Sequence, residues 1–358
     1  MIDQPADPPK ALRPREAVRR MAPYSPPTAG RSGKLRLDFN ENTVGAPPRV
    51  AEALSRKLTA EGLAVYPEYG ECRAALARHF QVAGDQILLT NGTDEAIQII
   101  VNTYVDDGDQ VVLLRPSYAM YRFYAEVAGA SIQEIDYHSQ DLSFPLEELL
   151  EGIGPGTKAV LIANPNNPTG TGAGIQDIEK ILRKADHAAV LIDEAYFEFS
   201  GVTALPLIGA VPNLFVSRTF SKVFGLAAMR LGCIFSQAEN IGYLHKAQSP
   251  YSVNMLAAMA AVEAVQDPDH VQHYVEEVLA ARQELYEGLE KLRIPYFRSQ
   301  ANFVLFRAGE RAIEVRDRLR SMGILVRDRS YELPGCVRVT VGTREQVRRF
   351  LHALEEVW

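Results

Sequence analysis

Cysteine is scarce. The 358 residues hold three, Cys72, Cys233 and Cys336, far apart and without a CxxC pair. That excludes a disulfide framework and a thiolate metal site. Reduced thiols in a cytoplasmic protein are the expectation. The seven histidines are scattered and form no HExxH, so no metal centre is expected. No apolar run is long enough to span a bilayer, so no membrane association is expected. The stretch MIDQPADPPKALRPREAVRR (1–20) lacks the apolar core of a secretory signal and reads as a flexible arm. Basic charge is not in excess. The formal net charge is -7, which argues against a nucleic-acid partner. No GxGxxG follows a candidate strand and no GxxxxGKS/T occurs, so dinucleotide and P-loop fingerprints are missing too.

What is present is globular in kind. Apolar residues make up 47% and charged residues 23% of a chain long enough for about two domains. Five short apolar runs without polar alternation read as strands covered on both faces: QILLT (86–90), VVLL (111–114), KAVLIA (158–163), AVLID (189–193) and LFVSRT (214–219). LGCIFS (231–236) is a sixth candidate. Helical stretches lie between them, such as Asp94 to Tyr104 and Gln176 to Ala185. Alternating strands and helices predict an α/β unit with a mostly parallel sheet. Further on come an apolar stretch (253–265), a charged helix (271–292), ANFVLFRA (301–308), a helix (312–321), ILVRD (324–328), CVRVTVG (336–342) and a closing helix from Thr343. These predict a smaller α+β unit. The expected division is an arm and segment packing with the small unit (1–65), a large unit (66–265) and a small C-terminal unit (266–358).

Chemistry gathers at the strand ends, where open α/β sheets build their sites. Lys222 follows LFVSRT in Ser-Arg-Thr-Phe-Ser-Lys, with Ser217, Thr219, Ser221 and Arg230 close by. Hydroxyls and an arginine suit a phosphate, and a lysine beside them can form a Schiff base with a carbonyl. Taken alone, Lys222 reads as a surface lysine. AVLID ends in Asp193, followed by Glu194, Ala195 and Tyr196. A buried carboxylate needs a partner, which a protonated pyridine nitrogen, a salt bridge or a helix cap would supply. KAVLIA runs into the tight loop Asn-Pro-Asn-Asn-Pro-Thr-Gly (164–170), whose asparagines offer donors at a fixed place. QILLT leads through Asn91, Gly92, Thr93 and Asp94 into a helix whose first amides suit a phosphate. Tyr118 follows VVLL, placed either for stacking on a flat group or for core packing. Together these five strand ends describe a site for a flat, phosphorylated, aldehyde-bearing cofactor.

The segments LDFNEN (37–42), YPEYG (66–70), NGTDEAI (91–97), RPSYAMY (115–121), NPNNPTG (164–170), DEAY (193–196), TFSKVFGLAAMR (219–230) and RVTVGT (338–343) resemble the fold-type I aminotransferases that use pyridoxal 5′-phosphate. The resemblance runs from about Tyr24 to Gly342 and is nearest to the histidinol-phosphate branch. It implies an aspartate-aminotransferase-like architecture, with Lys222 bound covalently to the cofactor and Asp193 on the pyridine nitrogen. Asn167 and Tyr196 would meet the ring hydroxyl, and Tyr118 would stack on the ring. Thr93 and Asp94, through the helix start, would hold the phosphate with Thr219, Ser221 and Arg230. Lys222, Asp193 and Tyr196 are thus the expected catalytic residues. Tyr66 would reach the cofactor phosphate of a second subunit, which implies a homodimer with sites at the interface. Tyr24, Asn167, Arg327 and Arg338 would bind the substrate, a small amino donor or keto acceptor. The implied reaction is transamination between histidinol phosphate and 2-oxoglutarate. An aromatic amino acid aminotransferase and a threonine-phosphate decarboxylase are the alternatives on this scaffold. The chain departs from the family pattern at Phe39, where a small residue is usual, at Thr93, and in the ELPGC segment (332–336).

Overall fold

In the computed structural model, which describes residues 12–23 and 29–358, a two-residue strand β1 (Leu35–Arg36) precedes a seven-stranded central sheet. The sheet comprises β2 (Ile87–Thr90), β3 (Gln110–Arg115), β4 (Ser131–Asp136), β5 (Thr157–Ala163), β6 (Ala189–Asp193), β7 (Leu214–Thr219) and β8 (Gly232–Phe235). Its order is β2-β8-β7-β6-β5-β3-β4. β8 runs antiparallel to both neighbours and every other pairing is parallel. The six apolar runs read from the sequence are all strands of this sheet. Helices cover both faces, so β6 and β7 are buried along their whole length and need no polar alternation.

The strand missing from the sequence reading is β4, SIQEID. It lies at the sheet edge beside β3, half-buried at its centre and exposed at both ends, so its polar residues masked the strand signal.

The C-terminal part forms a second sheet. Its strands are β9 (Tyr296–Phe297), β10 (Phe303–Arg307), β12 (Arg327–Asp328) and β13 (Cys336–Thr340), in the antiparallel order β12-β13-β10-β9. β11 (Ile324–Leu325) instead pairs in parallel with β1. ILVRD is therefore two short strands in two sheets, not one. The helix Pro268–Lys291 packs along Arg344–Val357, whose first turn is closed by a capping box between Thr343 and Gln346. The alanine-rich helix Met255–Val265 lies against the helices Pro48–Lys57 and Gly70–Phe80. The architecture is α/β with a large, mostly parallel sheet and a smaller α+β unit.

This topology sets up the site. β2, β3, β5, β6 and β7 run the same way, so their carboxyl ends share one edge. The small sheet closes over that edge, with Arg338 of β13 donating to the Asp38 carbonyl at 2.8 Å. Among the described residues no helix is long and apolar enough to cross a membrane.

Candidate functional site

A cleft of about 710 Å³ opens between the carboxyl edge of the large sheet and the small sheet. It brings together Thr93, Asp94, Tyr118, Asn167, Asp193, Tyr196, Thr219, Ser221, Lys222, Arg230, Arg327 and Arg338. Among the described residues, one sequence candidate is not in it. Tyr66 is 74% exposed, away from the cleft, and stacks on Tyr251 with ring centroids 4.4 Å apart. Tyr24 lies outside the described residues.

One wall carries the lysine. Lys222 follows the end of β7 and is half-buried. Its Nζ donates to the Phe39 carbonyl at 3.0 Å and sits 5.6 Å from the centroid of the Tyr196 ring. Asp193 closes β6 at the floor, 3% exposed. Its two oxygens accept from Tyr121 Oη and Ser217 Oγ, each at 2.8 Å. Burial pushes its carboxyl up to about 6, against those hydrogen bonds, which favour the charged form. A cationic group in the cleft would relieve that penalty.

Strand alternation divides the labour on β7. Ser217 turns to Asp193, whereas Arg218 turns to the opposite face. There it pairs with the fully buried Glu194 at 2.7 Å and lies 3.6 Å from the Phe197 ring centroid. This buried pair ties the ends of β6 and β7 together behind the site.

At the far end, the helix Gly92–Tyr104 points its first turn at the cleft. Gly92 has φ +74°, and a Cβ there would lie 2.6 Å from the Arg230 guanidinium. Glycine thus lets Arg230 close on the helix start. Arg230 reaches Asp94 at 3.2 Å and Ser221 Oγ at 3.4 Å. Asp94 also accepts from Tyr118 Oη at 2.7 Å. Its side chain is therefore occupied, which leaves the helix amides, the hydroxyls of Thr93, Thr219 and Ser221, and Arg230 as the anion donors. Burial, then Asp94, raises the Tyr118 phenol above its usual range, so it stays a donor.

The third wall is cationic. Arg327 and Arg338 face each other in register across β12 and β13. Arg338 is buried, donates through Nη1 to the Asn167 side-chain oxygen, and keeps its Nε without a partner. Burial, then the neighbouring Arg329, pulls it down to about 10. Arg329 is neutralised by Glu332. Like charges in register with little acid between them call for an anion.

Residues that the sequence reading missed complete the site. Asn40, buried with φ +57°, donates Nδ2 to Tyr196 Oη at 2.9 Å. Asparagine tolerates this left-handed backbone, but only the folded chain shows that it is needed. Tyr121 supports Asp193, and Phe39 meets both Lys222 and the arginines. Among the described residues, no group of three or more His, Cys, Asp or Glu is arranged to hold a metal ion.

The comparisons with known proteins agree with this geometry. Residues 32–354 match the family model described as aminotransferase class I and II. Histidinol-phosphate aminotransferase from Symbiobacterium thermophilum is 38% identical over 355 residues, covering 95% of this chain and 97% of that protein. The solved histidinol-phosphate aminotransferase from Sinorhizobium meliloti, in complex with pyridoxal 5′-phosphate, superposes with a TM-score of 0.88 at 25% identity, over 97% of this chain and 98% of that one. A variant of Thermus thermophilus aspartate aminotransferase superposes with a TM-score of 0.81 at 25% identity, over 98% of this chain and 100% of that one. The chain belongs to the class I and II aminotransferase family.

Proposed function

We propose that the chain is a pyridoxal-5′-phosphate-dependent aminotransferase of histidine biosynthesis. It moves an amino group between L-histidinol phosphate and 2-oxoglutarate. The observation that carries the substrate is the facing pair Arg327 and Arg338, set across one cleft from Lys222 and Asp193. The family and the relatives' activity support the reaction class.

The donor set fits the cofactor. A buried carboxylate awaits a ring nitrogen, a helix start with Arg230 and three hydroxyls awaits a phosphate, and a lysine lies between them. When bound, pyridoxal phosphate supplies an electrophilic carbon and an electron-withdrawing ring. Asp193 holds the proton on the ring nitrogen. Asn167 and Tyr196 orient the ring hydroxyl, with Asn40 fixing the Tyr196 phenol. Tyr118, in the cleft lining, would cover one face of the ring. Thr93, Thr219, Ser221, Arg230 and the amides of residues 93 and 94 bind the phosphate. Lys222 would hold the cofactor covalently at rest and would move the proton at the substrate Cα during turnover. Arg338 takes the glutamate carboxylate in one half-reaction and, with Arg327, the substrate phosphate in the other. Tyr24 contributes to closing over the substrate.

The chain acts as a homodimer in the cytoplasm, with Tyr66 serving the partner's cofactor phosphate. The exposure of Tyr66 and its stacking on Tyr251 support that placement. We divide the chain into an N-terminal segment to residue 65, a large unit (66–265) and a small unit (266–358); within the N-terminal segment β1 pairs with β11 of the small unit, whereas the helix Pro48–Lys57 packs on the large unit.

The test is a steady-state comparison with 2-oxoglutarate as acceptor. Histidinol phosphate is expected to exceed phenylalanine in kcat/KM by at least about 100-fold, because the buried Arg338 and the half-buried Arg327 call for an anion that the phenylalanine side chain lacks. Preference for phenylalanine, or carbon dioxide release from threonine phosphate, would sink the substrate assignment.

A further inference from the structure

Arg327 and Arg31 both approach the ring of Phe39, and their circumstances differ. Arg31 is fully spent. It pairs with Asp38 at 2.9 Å and with Glu41 at 2.5 Å, and its Cζ lies 4.4 Å from the Phe39 ring centroid. Arg327 has no ion pair and no hydrogen bond among the described residues. Its contact is the same ring, with Cζ 5.5 Å from the centroid. An arginine without partners keeps its rotamer freedom and must give it up when a ligand binds. A ring that is itself held still removes that cost beforehand, because guanidinium and aromatic face attract and both are flat.

The ring is held still. Arg31 fixes it from a site locked by two carboxylates. The backbone beside it is tied down as well, with the Asp38 carbonyl accepting from Arg338 at 2.8 Å. Phe39 lines the cleft that Arg327 and Arg338 share.

We infer that Phe39 is a positioning residue for substrate recognition: its ring, clamped by Arg31, presets the uncommitted Arg327 guanidinium to take the substrate's anionic group. This rests on the proposed function for the identity of the substrate, but not for the role of the ring. Arg31 is the scaffold arginine, and Arg327 is the one with charge to offer. The ring touches neither reacting atom, so its effect belongs in binding.

The experiment uses the cofactor-loaded enzyme and three variants, Phe39→Leu, Phe39→Tyr and Arg327→Ala, with the double variant Phe39→Leu/Arg327→Ala. Leucine keeps apolar bulk and removes the aromatic face, whereas tyrosine retains it. Three quantities are read: KM and kcat for histidinol phosphate, and the competitive inhibition constant of inorganic phosphate in transamination of whichever amino donor the wild type uses. Phe39→Leu is expected to raise both KM and the phosphate inhibition constant by about 3- to 10-fold, the range a partly desolvated cation–aromatic contact commands. Its kcat should change far less than its KM. Phe39→Tyr should stay within about twofold of wild type, and in the Arg327→Ala background Phe39→Leu should add no further loss. The inference is overturned if Phe39→Leu leaves phosphate inhibition unchanged, if tyrosine fails to rescue, or if the leucine penalty persists at full size without Arg327. A wild type that prefers unphosphorylated histidinol would overturn the substrate reading instead, and the inorganic phosphate arm would still decide the role of Phe39.

Discussion

Asp193 sits where a carboxylate is costly, walled in by β6, Tyr121 and Ser217, with its carboxyl raised from 3.8 to about 6 by burial. The folded apoprotein therefore binds this proton more tightly than the unfolded chain does. The resulting stability is complete below about pH 4 and is lost as the pH rises through about 6. A rise of about two units corresponds to about 3 kcal/mol. Denaturant titrations of the apoprotein should show that loss in wild type and not in Asp193→Asn, where no proton is exchanged. The same variant, loaded with cofactor, should lose kcat by about 100-fold or more, because it no longer holds the ring-nitrogen proton. Equal pH slopes for the two apoproteins would mean that the carboxyl is not titrating where burial puts it. Residue identities at the strand ends were the most legible part of the sequence. Lys222, Asp193, Asn167 and Arg230 stand next to apolar runs that can only be buried strands. Asn40, Tyr121 and Phe39 were not legible as site residues, because their roles come from contacts across long chain separations. Asn40 meets Tyr196 from 156 positions away.

The pairing of β6 with β7 is where secondary structure becomes a site. Asp193 lines the cleft and Ser217 donates to Asp193 from below, while Glu194 and Arg218, one position on, face away and form a buried ion pair. Truncating Arg218 to alanine strands Glu194, which is fully buried, without its counter-charge. The expected cost is about 3–5 kcal/mol of unfolding free energy. Thermal or denaturant unfolding would show it, and a loss under about 1 kcal/mol would mean that the pair contributes little. The sequence reading found both strands from apolar runs, yet it could not assign the outward face, since Arg218 and Glu194 look like any polar residues near a loop. The same limit explains β4 and the division of ILVRD. Both depend on which neighbour a short segment pairs with, and local pattern carries little of that information.

Across the whole molecule, the cleft is assembled from segments 300 positions apart, as in the contact of Arg338 with the Asp38 carbonyl. The second subunit supplies the final contact in the proposed dimer. Tyr66→Ala and Lys222→Ala homodimers should each be impaired for separate reasons. Mixed and reassorted, they should regain about a quarter of wild-type specific activity, because hybrids hold one site with both residues intact. Mixtures that merely average the two parents would contradict a shared site. The α/β class and the smaller α+β unit were readable from the alternation of runs. The way the N-terminal segment joins the smaller unit, through the pairing of β1 with β11, was not.

In the proposed reaction Lys222 carries the cofactor. Borohydride reduction of the loaded enzyme, proteolysis and mass mapping of the phosphopyridoxyl label test it directly. The label is expected on Lys222 alone and is expected to vanish from the protein in Lys222→Ala; a label confined to any other lysine would overturn the assignment.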